Sequence, residues 1–574
     1  GKLDRKALPA PGRQGGGGYV APRTPAEETL CSIWRQVLGV ERIGVHDNFF
    51  DLGGDSILSI QIIARANQSG LRLTPKQLFQ HQTVEQLAAV AGSGEGARAE
   101  QGVVTGEVGL TPIQRWYFEQ EPADPSHFNQ SVLLRPHAPV NIEALREVAA
   151  KLVEHHDALR LRFTRTADGW RQHLSAPDGG DVVEVIDLRG VADGGRAVTE
   201  AAGRVQRSLD IERGPLLRVA LMRLSNEVGG EEEQRLLLCV HHLAVDGVSW
   251  RVLLEDLQRG YEQARRGLAI EFGEKTTSFK AWAERLQEYA SSPEVEGQRA
   301  YWQQQAEAEA APMPVDFEGG ENLVGSVETV GLSVSEGLTR RLLHEAGRAY
   351  NTRITELLLA ALARAWRRWS GQSRVRVELE GHGREQEEVG GADVTRTVGW
   401  FTTIYPVTVG GGGEVGACVR SAKEELRGVP GGGLGYGVLK YLGGGTEWAD
   451  EAEAEVSFLY LGQIDQVLGE GGDFSPAEEN AGETRSPKMK RKHLLEVNGI
   501  VVDGRLQMGW TYSRGVHRRE SIEALVSEYE WALAEVVEHC TDEGAGGYTP
   551  SDFPEAELSQ DDLDDLIAEL SASE

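Results

Sequence analysis

The 574-residue sequence is poor in cysteine, with only Cys31, Cys239, Cys418 and Cys540, no two of them at CxxC spacing. That pattern supports neither a disulfide framework nor a thiolate zinc site, and no metal is expected. No uninterrupted apolar run approaches the roughly 20 residues that a membrane-spanning helix needs. Cationic side chains are the minority: 59 Lys and Arg stand against 89 Asp and Glu, giving a formal net charge of −30. Such a surface repels phosphate backbones and anionic headgroups, so nucleic acid and membrane are poor partners. The opening string Gly1 to Ala10 (GKLDRKALPA) carries charge but no apolar core and no small-residue cleavage site. It is not a secretory signal, and the expected compartment is the cytoplasm.

What is present is globular: 40% hydrophobic and 26% charged residues. The length calls for several folding units. Three stretches rich in Gly, Pro and small polar residues, Pro9 to Pro22, Gly92 to Gly106 and Thr541 to Pro550, read as linkers. They predict a small unit over 23–92, a linker over 93–106, a large unit over 107–545 and a tail over 546–574. Within the small unit, Leu30, Ile33, Trp34, Val37 and Leu38 share one face of a helix over Glu27 to Val40. Leu58, Ile62 and Ile63 do the same over Ile57 to Ala66, and a short helix over Val84 to Ala91 closes the bundle. The large unit alternates strand-like runs (Val132 to Leu134, Leu236 to Val240, Val375 to Leu379, Ile404 to Val409) with amphipathic helices (Ile142 to His156, Val252 to Arg265, Thr355 to Trp369). Its class is α/β or α+β, with room for two lobes at about 107–280 and 281–545.

Two constellations carry chemistry. The first is DLGGDS at Asp51 to Ser56, which delivers a hydroxyl after two glycines and an acid to the start of a helix. Glycine permits close approach of another backbone, and a helix N-terminus favours an attached phosphate. The same six residues equally describe a helix that Ser56 merely caps. The second is CVHHLAVDGVSW at Cys239 to Trp250, where a strand ends in His241 and His242 before the turn at Asp246-Gly247. Neighbours on a strand face opposite ways, so one histidine faces the core and the other a cleft, where it can move protons near neutral pH; the same two residues also describe a hydrogen-bonded histidine pair in the core.

DLGGDS resembles the attachment motif of peptidyl carrier domains of nonribosomal peptide synthetases. The resemblance implies a four-helix carrier bundle with 4'-phosphopantetheine covalently bound to Ser56 beside Asp55 and Gly54, installed by a phosphopantetheinyl transferase. The aspartate form Gly53-Gly54-Asp55-Ser56 is typical of carriers that precede epimerization domains. Gly1 to Pro9 resembles the end of an adenylation domain, so that 1–22 would be its tail plus a linker, with Lys2 as its lysine and the upstream adenylation domain as a partner.

CVHHLAVDGVSW is similar to the HHxxxDG motif shared by condensation and epimerization domains, which have a doubled chloramphenicol acetyltransferase-like fold. That makes His242 the catalytic member, His241 its support, and Asp246 the partner of a buried arginine. EGHGRE at Glu380 to Glu385 resembles the epimerase-specific motif, with Glu380 as a second acid/base group. Arg384 then either tunes Glu380 or pairs with Asp246. TPIQRWYF (Thr111 to Phe118), TRTVGWFTTIYPV (Thr395 to Val407), PGGGLGYG (Pro430 to Gly437) and FLYLGQID (Phe458 to Asp465) follow in family order. The last departs from the pattern, with Leu459 where the family commonly has Asn before Tyr460, so an amide that would hydrogen-bond is missing.

The implied reaction is loss of the α-proton of a carrier-bound aminoacyl or peptidyl thioester from one face and its return on the other. His242 and Glu380 serve as the pair, in either order, and Tyr460 donates to the enolate or orients the substrate. The carrier must dock on its own epimerization domain. The tail, TPSDF followed by SQDDLDDLIAEL at Ser559 to Leu570, resembles a donor docking segment for the condensation domain of the next synthetase. The rival reading is a condensation domain. EGHGRE argues against it, and His155-His156 lacks the Gly and Asp of a second histidine motif. A third reading is an inactive carrier and docking platform.

Overall fold

The computed structural model describes residues 19–93, 99–225, 233–443, 453–463, 473–553, 556 and 558–571. Gly1 to Pro9 with Lys2, the centre of the second linker at 94–98, and Asp465 lie outside the described residues. The chain divides into two compact units, Gly1–Ala97 and Arg98–Glu574.

The first unit is a bundle of α1 (Pro25–Leu38), α2 (Ser56–Gln68), α3 (Pro75–Gln80) and α4 (Val84–Val90). A capping box between Thr24 and Glu27 starts α1, and left-handed Gly39 ends it. The predicted apolar stripes meet in one core in which Leu30, Trp34, Leu58, Ile62 and Leu87 surround Phe49. α3 is six residues long, too short for periodicity to register, and its start is written instead in the Thr74-Pro75 cap.

The second unit holds two large sheets, with strands numbered here along the chain. The first contains β1 (Asn129–Pro136), β2 (Val183–Asp187), β3 (Leu217–Leu224) and β4 (Glu233–His241). The second contains β5 (Val327–Ser333), β6 (Arg374–Gly381), β7 (Thr403–Gly410), β8 (Val456–Gln463), β10 (Leu495–Val502) and β11 (Arg505–Ser513), in the order β5-β11-β10-β8-β6-β7. A short strand from the second half, β9 (Phe474–Pro476), joins the first sheet, whose order is β9-β1-β4-β3-β2. The four strand-like runs fall inside β1, β4, β6 and β7, and the three amphipathic stretches form α5 (Ile142–His155), which stops one residue short of the predicted His156, and fall inside α6 (Gly247–Arg265) and α7 (Ile354–Ser370).

β9 leaves the second lobe between β8 and β10 and pairs antiparallel with β1. The loop over 382–402 likewise runs from β6 onto α6, so the lobes are held by two crossings. α8 (Val415–Arg427) and α9 (Arg519–Cys540) pack with α7 over the second sheet. The segment after α9 is clamped: Asp552 accepts from Lys423, from Arg427 at 3.2 Å and from Asn351 at 2.8 Å. Beyond it, α10 (Gln560–Ser571) buries Leu563 and exposes Leu566, while the side chains of Ile567 and Leu570 lie outside the described residues. Among the described residues no helix is long and apolar enough to cross a membrane.

Candidate active site

In the first unit Asp55, not Ser56, caps α2, accepting from the backbone N–H groups of Ile57 (2.9 Å) and Leu58 (2.8 Å). Ser56 is exposed, the first residue of the helix, with its hydroxyl spared from capping. Gly54 has a structural reason that the sequence did not display. A Cβ there would lie 2.4 Å from the Phe49 ring, so the glycine lets the loop rest on the core. The residues therefore fit a phosphate-linked arm: a free primary hydroxyl at the positive end of a capped helix.

In the second unit β4 ends as alternation predicts. His241 is fully buried, donating Nε2–H to the Pro125 carbonyl (2.9 Å) and accepting at Nδ1 from the Leu243 N–H (3.2 Å). Burial lowers its pKa to about 3. His242 is half-buried, stacked on Phe128 (ring centroids 5.1 Å apart, 10° between planes) and against Trp400 (4.3 Å). Burial, then the charge of Arg485, lowers it to about 4, so it is a neutral imidazole at neutral pH. Arg485 lies over the other ring of this stack, its guanidinium 5.1 Å from the Phe128 centroid, and is exposed.

Asp246 and Arg384 pair, both buried, with Nη2 3.1 Å from Oδ1. The carboxylate also caps α6 through the Ser249 N–H (2.7 Å) and accepts from the Phe401 N–H (3.0 Å). Arg384 donates to the carbonyls of Val394 and Thr397. Of the two alternatives left for Arg384, the geometry is that of the Asp246 partner. His242 and Glu380 each stand four residues before one member of this pair. The bridge thus ties the end of β4 to the end of β6. Gly383 serves the same crossing: its φ is +67°, and a Cβ would collide with the Phe401 carbonyl.

Glu380 ends β6 open to solvent yet walled by protein. Burial, then the like charge of Glu378, raises its pKa to about 7. The two carboxylates share a strand face at i and i+2. Burial would raise Glu378 too, but His493 (2.7 Å) and Lys492 (2.7 Å) hold it down at about 2. Two neighbouring acids are driven apart, one permanently ionised and one titrating near neutrality. Glu378 also lines a small cavity of about 30 Å³, together with Lys492, Trp116, Trp400, Ile404 and Tyr436.

Tyr460 belongs to a different face. β6 and β8 run parallel with Leu379 opposite Phe458, which sets Leu459 on the side of Glu380 and Tyr460 against the core of the second lobe. His155-His156 forms no second site: His156 is buried 3.0 Å from Asp256, which also binds Arg396. The sequence reading missed Glu378, Lys492, His493, Arg485 and Gln130. Only Glu378 left a signal, two positions before Glu380 on a strand.

The chain matches the family profile of the condensation domain over residues 104–559 and that of the phosphopantetheine attachment site over residues 28–91. It is 46% identical over 99% of its length to a linear gramicidin synthase of Brevibacillus parabrevis, and 46% identical over its whole length to the chondramide synthase of Chondromyces crocatus. It spans only 8% and 15% of those proteins. Among solved structures it is similar to the epimerization domain from the third module of tyrocidine synthetase B, at 34% identity and TM-score 0.72, covering 78% of this chain and 99% of that one. SgcC5 from Streptomyces globisporus shares the fold at 20% identity and TM-score 0.60. The chain belongs to the condensation-domain family of nonribosomal peptide synthetases, behind a carrier domain that is the attachment site of phosphopantetheine.

Proposed function

We propose that the large domain epimerizes the α-carbon of an aminoacyl or peptidyl thioester held on Ser56 of its own carrier. The observation that carries this reading is geometric: the buried Asp246–Arg384 pair ties together the segments that follow His242 and Glu380, an imidazole and a carboxyl at the ends of β4 and β6, and their surroundings lower the proton affinity of the first and raise that of the second. The likeness to a solved epimerization domain supports it.

Between pH values of about 4 and about 7, His242 is unprotonated and Glu380 protonated, the state that one direction of inversion requires. The Cα–H bond breaks, its proton passes to Nε2 of His242 and its electron pair enters the thioester as an enolate. Glu380 returns a proton to the other face, and the two groups reset by exchange with water. The reverse direction uses the opposite protonation state. Asp246 and Arg384 hold the two strand ends at fixed separation, and the aromatic rings of Phe128 and Trp400 keep His242 dry and neutral. The phosphopantetheine arm on Ser56 supplies the thioester and a tether that makes the encounter intramolecular. A phosphopantetheinyl transferase, an upstream adenylation domain and, through the acidic α10, a downstream condensation domain are the partners this reading requires.

The test is to load Ser56 with an L-aminoacyl-phosphopantetheine, incubate in deuterated water, and analyse the released amino acid. A D/L mixture carrying deuterium at Cα, lost in His242→Ala and Glu380→Gln, is the expected result. Unchanged L-substrate without deuterium across several amino acids and a peptidyl thioester overturns the reading. Peptide bond formation with a second loaded carrier would then identify a condensation domain.

A further inference from the structure

Both ring nitrogens of His242 are already engaged. Nδ1–H donates to the Val245 carbonyl (2.9 Å), which leaves Nε2 as the lone-pair nitrogen. The group 2.9 Å from Nε2 is the side-chain nitrogen of Gln130 on β1. Which end of that amide faces the histidine is fixed by chemistry. Trp250, nearly buried at the start of α6, places its indole Nε1 2.7 Å from Gln130 Oε1, and an indole N–H can only donate. The oxygen must therefore face Trp250 and the N–H must face His242. This chain runs from Trp250 through Gln130 and His242 to Val245, with a donor facing an acceptor at each of its links.

The arrangement has a consequence for substrate. A base that takes a proton at Nε2 needs that lone pair free, so an arriving Cα–H displaces the Gln130 N–H. With Oε1 anchored by Trp250, the displaced N–H remains beside Nε2. The atom that arrives with Cα and lies one carbon away is the thioester carbonyl oxygen, the atom on which charge develops as the Cα–H pair is released.

We propose that Gln130 is a catalytic residue of this site: it holds His242 as a neutral Nδ1–H imidazole before substrate arrives, then donates its amide N–H to the thioester oxygen as the enolate forms. The inference rests on the epimerase reading for its second half and on the resting structure alone for its first.

Two measurements on the full chain test it. Nitrogen NMR of histidine-labelled protein without thioester, with the His242 signals assigned by their loss in His242→Gln, reads the tautomer directly. Nδ1–H is expected in the wild type, and Gln130→Glu, which keeps the acceptor for Trp250 but offers a carboxylate to the ring, is expected to move the proton to Nε2. Deuterium exchange on the loaded carrier reads the second half. Gln130→Leu is expected to lower kcat, here the first-order exchange rate of the tethered thioester, by roughly 10²- to 10³-fold, the usual loss for one oxyanion donor. Gln130→Glu should lose more, because it sets a negative charge beside the enolate. Trp250→Phe should lose less than either, because the amide survives but is free to flip. Unaltered thermal melting checks that each variant folds. An Nε2–H tautomer in the wild type, or a Gln130→Leu variant within about 3-fold of wild-type kcat, overturns the proposal. A wild type that exchanges no deuterium overturns the epimerase reading instead, and the tautomer then decides the role of Gln130 by itself.

Discussion

The carrier and the cleft use their polar residues in opposite ways. Around Ser56 the motif is mostly scaffold: Asp55 caps α2, Gly54 lies on Phe49, and the one group offered to chemistry is an exposed hydroxyl. Around His242 and Glu380 the scaffold is itself charged and buried. Asp246 and Arg384 lock the strand ends, while burial, then Glu378, Arg485 and His493, set the proton affinity of Glu380. A site that must only be reached by another enzyme needs exposure and a rigid helix start. A site that must hold two protonation states near neutrality needs low-dielectric surroundings and compensated charges.

The sharpest break of this comparison is chemical. His242→Ala or Glu380→Gln should lower Cα deuterium exchange by roughly 10²- to 10⁴-fold, the range for a lost general acid or base, while phosphopantetheine loading of the carrier stays at the wild-type rate. Next comes Asp246→Ala, which leaves Arg384 buried without its counter-charge. Calorimetry should find the second unit destabilised by about 3–5 kcal/mol, with the carrier transition unmoved. Gly54→Ala does the converse. It forces a methyl into the Phe49 ring and should cost the carrier about 1–3 kcal/mol, read by the same calorimetry.

A smaller effect sharpens the electrostatic half. Activity that uses Glu380 as the acid is lost as pH rises through about 7 and Glu380 ionises. Glu378→Gln removes the neighbouring negative charge and leaves Lys492 and His493 without it, and both changes favour ionised Glu380. The alkaline limb of the pH profile should therefore move to lower pH, and a limb that stays in place would show that Glu378 does not tune the site. The smallest effect belongs to Ser56→Ala, which should change carrier stability by less than about 0.5 kcal/mol, as for an exposed side chain, yet abolish loading.

The elements were legible wherever a period ran long enough. The helical stripes of α1 and α2 and the apolar runs of β4 and β6 appear at their predicted places because burial of one face imposes its spacing on the sequence. The alternation that put His241 in the core and His242 in the cleft is the same rule applied to two residues. Tyr460 was harder. The resemblance of FLYLGQID to the last motif of the series implied a place in the site for it, but register with β6 gives the face of Glu380 to Leu459.

What the sequence determined by itself was local: which residues form helices and strands, which hydroxyl starts α2, and which motifs belong together. What only the tertiary structure decided was pairwise and distant. Gln130 reaches His242 across 112 positions and Arg384 reaches Asp246 across 138. Lys492 reaches Glu378 across 114. Hydrogen bonds and ion pairs act over a few ångströms of space and leave no periodic trace along the chain. The groups that tune a buried acid or base therefore become visible only when the fold has brought them into contact.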